Sequence, residues 1–193
     1  MATTPTMQTH QTNTPGRVRI VVAYEDYDAG KRAHHACQQI LQAVHLDKEL
    51  SPDFWKFDMF KLRAMCDAAA EEAAEADLLV LAPHDRSNLP VGVQEWIESS
   101  LQHPCRPKAL LVLLGPDPEN METTTQVARQ LKALAVQQSV PFWCLQLENP
   151  SRPWSDPDYV HQDLERVAQT VFTPSLSSSV LSPPGEIGNS NQS

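Results

Sequence analysis

Val18-Arg-Ile-Val-Val-Ala-Tyr24-Glu-Asp-Tyr-Asp28 is the stretch on which the fold turns. Residues 18–24 form a near-continuous apolar run, which suits a strand buried on both faces and placed centrally in a parallel sheet. The run breaks into charge at Glu25, and the apolar period then changes. Ala29, Ala33, Cys37, Ile40, Leu41 and Val44 fall on one helical face, with Asp28 placed as the N-cap.

The same alternation repeats downstream. Phe54 to Phe57 reads as a second strand, and Asp58 as the cap of a helix carrying Leu62, Met65, Cys66, Ala69, Ala73 and Ala76. Asp77 to Ala82 is a third strand. Pro90 then stands at the start of a helix that carries Val93, Trp96, Ile97 and Leu101. Ala109 to Leu114 is a fourth strand, broken by Gly115-Pro-Asp-Pro118. A helix with Val127, Leu131, Leu134 and Ala135 leads to a fifth strand, Phe142 to Leu147. A last helix from about Asp156 carries Val160, Leu164, Val167, Ala168 and Val171. Five strand–helix units with right-handed crossovers predict an α/β fold, a three-layer doubly wound five-stranded parallel sheet in the flavodoxin-like order 2-1-3-4-5.

The core is expected over residues 17–173. Residues 1–16 and 174–193, rich in Thr, Gln, Asn, Ser and Pro without periodicity, are expected to be disordered tails. A formal net charge of −9 over 193 residues argues against sequence-independent nucleic-acid binding. No run approaches the ~18 apolar residues of a membrane span, and the opening lacks a basic start and an apolar signal core, so a cytoplasmic location is expected. Cys37, Cys66, Cys105 and Cys144 form no C-x-x-C pair and are read as reduced. Of the tryptophans, Trp55, Trp96 and Trp143 read as packing. Trp154 reads as a clamp for its Pro-rich loop.

In the 2-1-3-4-5 order, strands one and three are neighbours whose following loops diverge, so a ligand crevice is expected outside their carboxyl ends. Glu25, Asp26, His84 and Asp85 converge there. They suit a hard divalent cation such as Mg²⁺ or acid–base work. The alternative assigns Asp28, Asp58 and Asp117 to helix caps and His84 to a polar loop. The loop after Tyr24 is acidic, has only Gly30, and carries neither G-x-G-x-x-G nor a P-loop, which argues against FMN and dinucleotides. Gly92 lies in the first turn of the third helix and permits a close approach by a ligand or a neighbouring backbone.

Val-Ala-Tyr-Glu-Asp, Phe-Trp-Lys-Phe-Asp, Ala-Asp-Leu-Leu-Val-Leu-Ala and Ala-Leu-Leu-Val-Leu-Leu, over roughly residues 18–115, resemble a group of uncharacterised bacterial flavodoxin-like and receiver-like α/β proteins. The layout is also similar to response-regulator receiver domains, in which an acidic pair after strand one, here Glu25 and Asp26, helps bind Mg²⁺. Against that pattern, Ala82 and Pro83 occupy the phosphoacceptor region and Glu148 stands where a lysine ends strand five. A further resemblance, to nucleoside deoxyribosyltransferase-like and TIR-like domains, implies a glutamate role for Glu95 without their glycine-rich lead-in. The expected function is a non-enzymatic regulatory or interaction module of degenerate receiver-like type, with another protein as partner. The alternative is an enzyme using the acidic cleft, Mg²⁺-dependent or acting on a glycosidic bond. Candidate catalytic residues are His84, Asp85 and Glu95; candidate metal ligands are Glu25, Asp26 and Asp85. No organic cofactor is expected, and Mg²⁺ is the candidate ion for the edge.

Overall fold

A computed structural model describes residues 19–43, 52–84, 88–103, 107, 109–115, 121–146 and 157–172. Both expected tails, and with them Asp85, Cys105, Asp117, Glu148 and Trp154, lie outside these described residues. The elements run β1 (Ile20–Tyr24), α1 (Tyr27–Ala43), β2 (Asp53–Lys56), a 3-10 turn (Phe57–Lys61), α2 (Arg63–Ala74), β3 (Leu78–Ala82), α3 (Val91–Gln102), β4 (Ala109–Leu114), α4 (Met121–Gln137), β5 (Phe142–Gln146) and α5 (Pro157–Phe172). The five strands are parallel, in the order β2-β1-β3-β4-β5. This is the expected three-layer, flavodoxin-like arrangement.

The period-two alternation of the central strands sorts the core into two layers. Ile20, Val22, Leu78, Val80, Leu111 and Leu113 face α1 and α5, while Val21, Ala23, Leu79, Leu81, Leu110 and Val112 face α2, α3 and α4. Residues of β1, β3 and β4 are buried except Tyr24, which is half-buried; β2 and β5 are the more exposed edges. Helix α1 lies close to the sheet because Ala29, Ala33, Ala36 and Cys37 present small side chains to it. A Cβ on Gly92 would stand 2.5 Å from the Phe60 carbonyl oxygen, so the close approach expected there is to neighbouring backbone. Among the described residues no helix is long and apolar enough to cross a membrane.

Two caps differ from expectation. Asp26, one residue before α1, caps that helix in place of Asp28, accepting the Ala29 N–H at 2.8 Å. Asp58 caps nothing: the chain first makes the 3-10 turn, Leu62 stands at the N-cap of α2 without a side-chain bond, and Asp58 pairs with Lys61 and Lys56 instead. Those two lysines hold its carboxyl below the usual range. At the other end of α4, Ser139 takes a φ of 55° while the Val140 N–H reaches back to the Ala135 carbonyl at 2.8 Å. This is a left-handed helix stop, where glycine is the residue without steric cost. Ser139→Gly is therefore expected to stabilise the fold by about 1 kcal/mol, a rise in Tm of roughly 2–4 °C by calorimetry.

Burial pushes the Cys37 thiol up to about 12. The native state keeps the Cys37 proton to about pH 12, whereas an unfolded cysteine releases it from about pH 8.5. Between those values this group costs the fold about 1.4 kcal/mol per pH unit as pH rises, and it costs nothing below them. Adduct mapping with iodoacetamide at pH 8 should leave Cys37 unmodified in the native protein and modified in urea. Native labelling of Cys37 as fast as in urea would contradict this burial.

Candidate functional site

Tyr24 and Ala82 are register partners, so β1 and β3 end level, and the Glu25 N–H extends the pairing by one bond to the Ala82 carbonyl at 3.1 Å. Beyond that bond the chains part. One enters α1 on one face of the sheet; the other runs toward α3 on the opposite face. The strand order reverses here, the place where folds of this topology form their ligand crevice.

Three of the expected residues meet at this edge. The His84 N–H donates to Glu25 Oε2 at 2.9 Å, and His84 Nδ1 lies 2.9 Å from Asp26 Oδ2. The other Asp26 oxygen, Oδ1, takes the Ala29 N–H. Asp26 thus binds the exit of β3 to the start of α1 with both oxygens engaged, and Asp28 stands exposed on the first turn beside it. Tyr27 is 74% exposed, with Lys31 Nζ 4.6 Å from its ring centre. Glu95 does not join the group. It is exposed on α3, beside Trp96 and Ile97, which pack on the face of the sheet away from α1.

Beneath the edge lies a residue the sequence reading passed over. Arg32 is only 6% exposed, although it falls in the small-residue stripe of α1 between Ala29 and Ala36. A helical side chain leans toward the helix N-terminus, which carries this one to the carboxyl edge of the sheet. There Nη2 donates to the Pro83 carbonyl at 3.3 Å, while Nε is buried with no hydrogen-bond partner among the described residues. Burial lowers its pKa, and the charges of Asp26 and Asp28 act in the opposite sense. A Cβ on Gly115 would lie 2.9 Å from the His84 carbonyl oxygen and 3.0 Å from Arg32 Nη2, so the end of β4 closes tightly on the guanidinium. The signal available in the sequence was a single charged position inside an otherwise small, apolar helical stripe.

Among the described residues no group of three His, Cys, Asp or Glu side chains is arranged to hold a metal ion. Asp85, the third expected ligand, lies outside the described residues; the expectation of Mg²⁺ as the cofactor is corrected by the likenesses to flavin proteins that follow.

A parallel sheet in this order, wound on both faces, defines the flavodoxin-like fold. Similar solved structures include an oxidoreductase from Corynebacterium diphtheriae, with a TM-score of 0.62 at 8% identity, covering 85% of this chain and 100% of the other. A Streptococcus pneumoniae flavodoxin aligns with a TM-score of 0.53 at 15% identity over 81% of this chain and 98% of its own. An NADH:FMN oxidoreductase in its apo form aligns with a TM-score of 0.52 at 13% identity over 83% and 89%. No protein-family model and no curated protein matches the sequence.

These findings correct the functional expectation. The similar structures named above are a flavodoxin, an oxidoreductase and an NADH:FMN oxidoreductase, which point away from the expected receiver-like module and acidic-cleft enzyme. The expectation that there is no organic cofactor is corrected by the same likenesses. It treated the lack of a phosphate cradle as the lack of a whole ligand, whereas a cradle concerns one end of a flavin and leaves its ring unaddressed.

The cap assignment gives a stability test at Asp26. Asp26→Ala is expected to cost about 1–2 kcal/mol, while Asp26→Asn, which caps as well as Asp, should stay within about 0.5 kcal/mol of the parent in urea unfolding. Equal losses in both variants would assign the effect to the contact with His84 Nδ1 instead of the cap.

Proposed function

We propose that this domain binds a flavin at the β1/β3 crevice and belongs to the redox class, with another protein as its electron-exchange partner in the cytoplasm. One observation carries the reading: at the point where the strand order reverses, the exit of β3 holds a buried arginine whose Nε–H has no partner among the described residues. Folds of this order take their ligand at that switch point, which is where FMN sits in flavodoxins. The flavodoxin and the NADH:FMN oxidoreductase aligned above support the same class.

The donor set fits the two ends of FMN differently. A flavin ring has carbonyl and ring-nitrogen acceptors and a flat face; at the switch point the buried Arg32 Nε–H lacks a partner among the described residues, and the Tyr27 ring stands exposed at the start of α1. The phosphate end does not fit. A phosphate at this switch point is expected at the N-terminus of α1, and there Asp26 already takes the Ala29 N–H, with Glu25 and Asp28 on either side. FMN as a whole therefore does not match the loop as it stands.

Lumiflavin, which carries the ring without a phosphate tail, tests this reading. Titration into the full chain should quench its fluorescence saturably at one site and raise Tm, because a ligand present at about 100 times its Kd stabilises the native state by about 2.7 kcal/mol. Arg32→Met, scored beside the parent after both are shown folded by circular dichroism, should weaken that binding. No quenching and no thermal shift with the parent protein would contradict the proposal.

A further inference from the structure

We infer that the crevice selects against the flavin phosphate and takes a flavin ending in a neutral hydroxylated chain, riboflavin in preference to FMN. This rests on the flavin reading above and specifies the ligand class of the same site.

The N-terminus of a helix ordinarily attracts anions, because its first N–H groups lack partners and its dipole is positive there. In α1 the chain has installed its own anion at that place. Asp26 Oδ1 accepts the Ala29 N–H at 2.8 Å, and the Asp26 carbonyl accepts the Gly30 N–H at 2.9 Å. The carboxylate is also held from its other side, since Oδ2 pairs with His84 Nδ1 at 2.9 Å while the His84 N–H is held by Glu25. An incoming phosphate would have to break both of these contacts to reach the Ala29 N–H, against the charges of Glu25 and Asp28. Arg32 is the cation beneath them, and it is packed against Pro83 and Gly115.

The same groups favour a neutral tail. Ionised carboxylates only accept hydrogen bonds, and the hydroxyls of a ribityl chain can donate them. Independently of the acidic loop, the buried Arg32 Nε–H is a donor in need of a carbonyl-type acceptor, which the ring supplies with or without a phosphate. Together these observations describe a site that keeps the ring end of the ligand and replaces the phosphate with the protein's own carboxylate.

The experiment compares riboflavin and FMN in parallel fluorescence-quenching titrations of the full chain, at 20 mM and 300 mM salt, with lumiflavin as the ring-only reference. Riboflavin is expected to bind at least tenfold more tightly than FMN at low salt, with the ratio narrowing at high salt as the charges are screened. The ratio should also fall several-fold in the Glu25→Gln/Asp28→Asn double variant, which keeps the Asp26 cap. FMN binding as tight as riboflavin, or a ratio unmoved in that variant, would overturn the inference. Binding of lumiflavin with neither riboflavin nor FMN would overturn it too while leaving the ring site standing. Binding of none of the three would overturn the flavin reading itself.

Discussion

The structure at the carboxyl edge of this sheet depends on where one carboxylate is held. Asp26 closes the first turn of α1 through the Ala29 N–H and, with its second oxygen, ties down His84 as the chain leaves β3. Two segments 58 residues apart in sequence are joined at the point where the strand order reverses. A half-exposed side-chain contact alone contributes little to stability. A carboxylate that also caps a helix and fixes a loop exit determines geometry, and here it determines which charges a ligand meets.

Below that contact the guanidinium of Arg32 gives the edge its second constraint. A buried cation is costly unless its donors and charge are answered. Pro83 answers one N–H, and Asp26 and Asp28 answer part of the charge from above. Gly115 has no Cβ because the His84 carbonyl and the guanidinium already occupy that space. The carboxyl ends of β3 and β4 thus both meet Arg32, whose Nε is one of three buried polar atoms without a partner among the described residues, with Gln39 Oε1 and Trp96 Nε1.

Much of the fold was legible in the sequence because it rests on periodicity. The runs ending at Tyr24, Ala82 and Leu114 read as strands buried on both faces, and the strand–helix alternation with right-handed crossovers fitted the order 2-1-3-4-5 as an inference from fold analogy. Caps were read less well. Both Asp26 and Asp28 are good capping residues, and which of them closes α1 depends on where His84 arrives from another strand. Asp58 preceded a helical pattern as a cap would, but the intervening 3-10 turn moved the helix start to Arg63. Of the site, the meeting of Glu25, Asp26 and His84 followed from the level ends of neighbouring strands. Arg32 was missed because a helical stripe of alanines suggests packing, and a long side chain within it reaches a site one turn away. Glu95 was read from a resemblance, and it stands exposed on α3. The flavin class was missed for a different reason, as an acidic loop speaks only to the phosphate end of such a ligand.

The central claim is that the N-terminus of α1 is answered by the protein's own carboxylate and is closed to an external anion. Titration of ¹⁵N-labelled protein with inorganic phosphate, following the Ala29 and Gly30 amide resonances, tests this most directly. The account predicts that both resonances stay in place up to tens of millimolar phosphate once ionic strength is matched with chloride. A saturable shift of the Ala29 amide, accompanied by movement of the His84 ring signals as Asp26 is displaced, would contradict it.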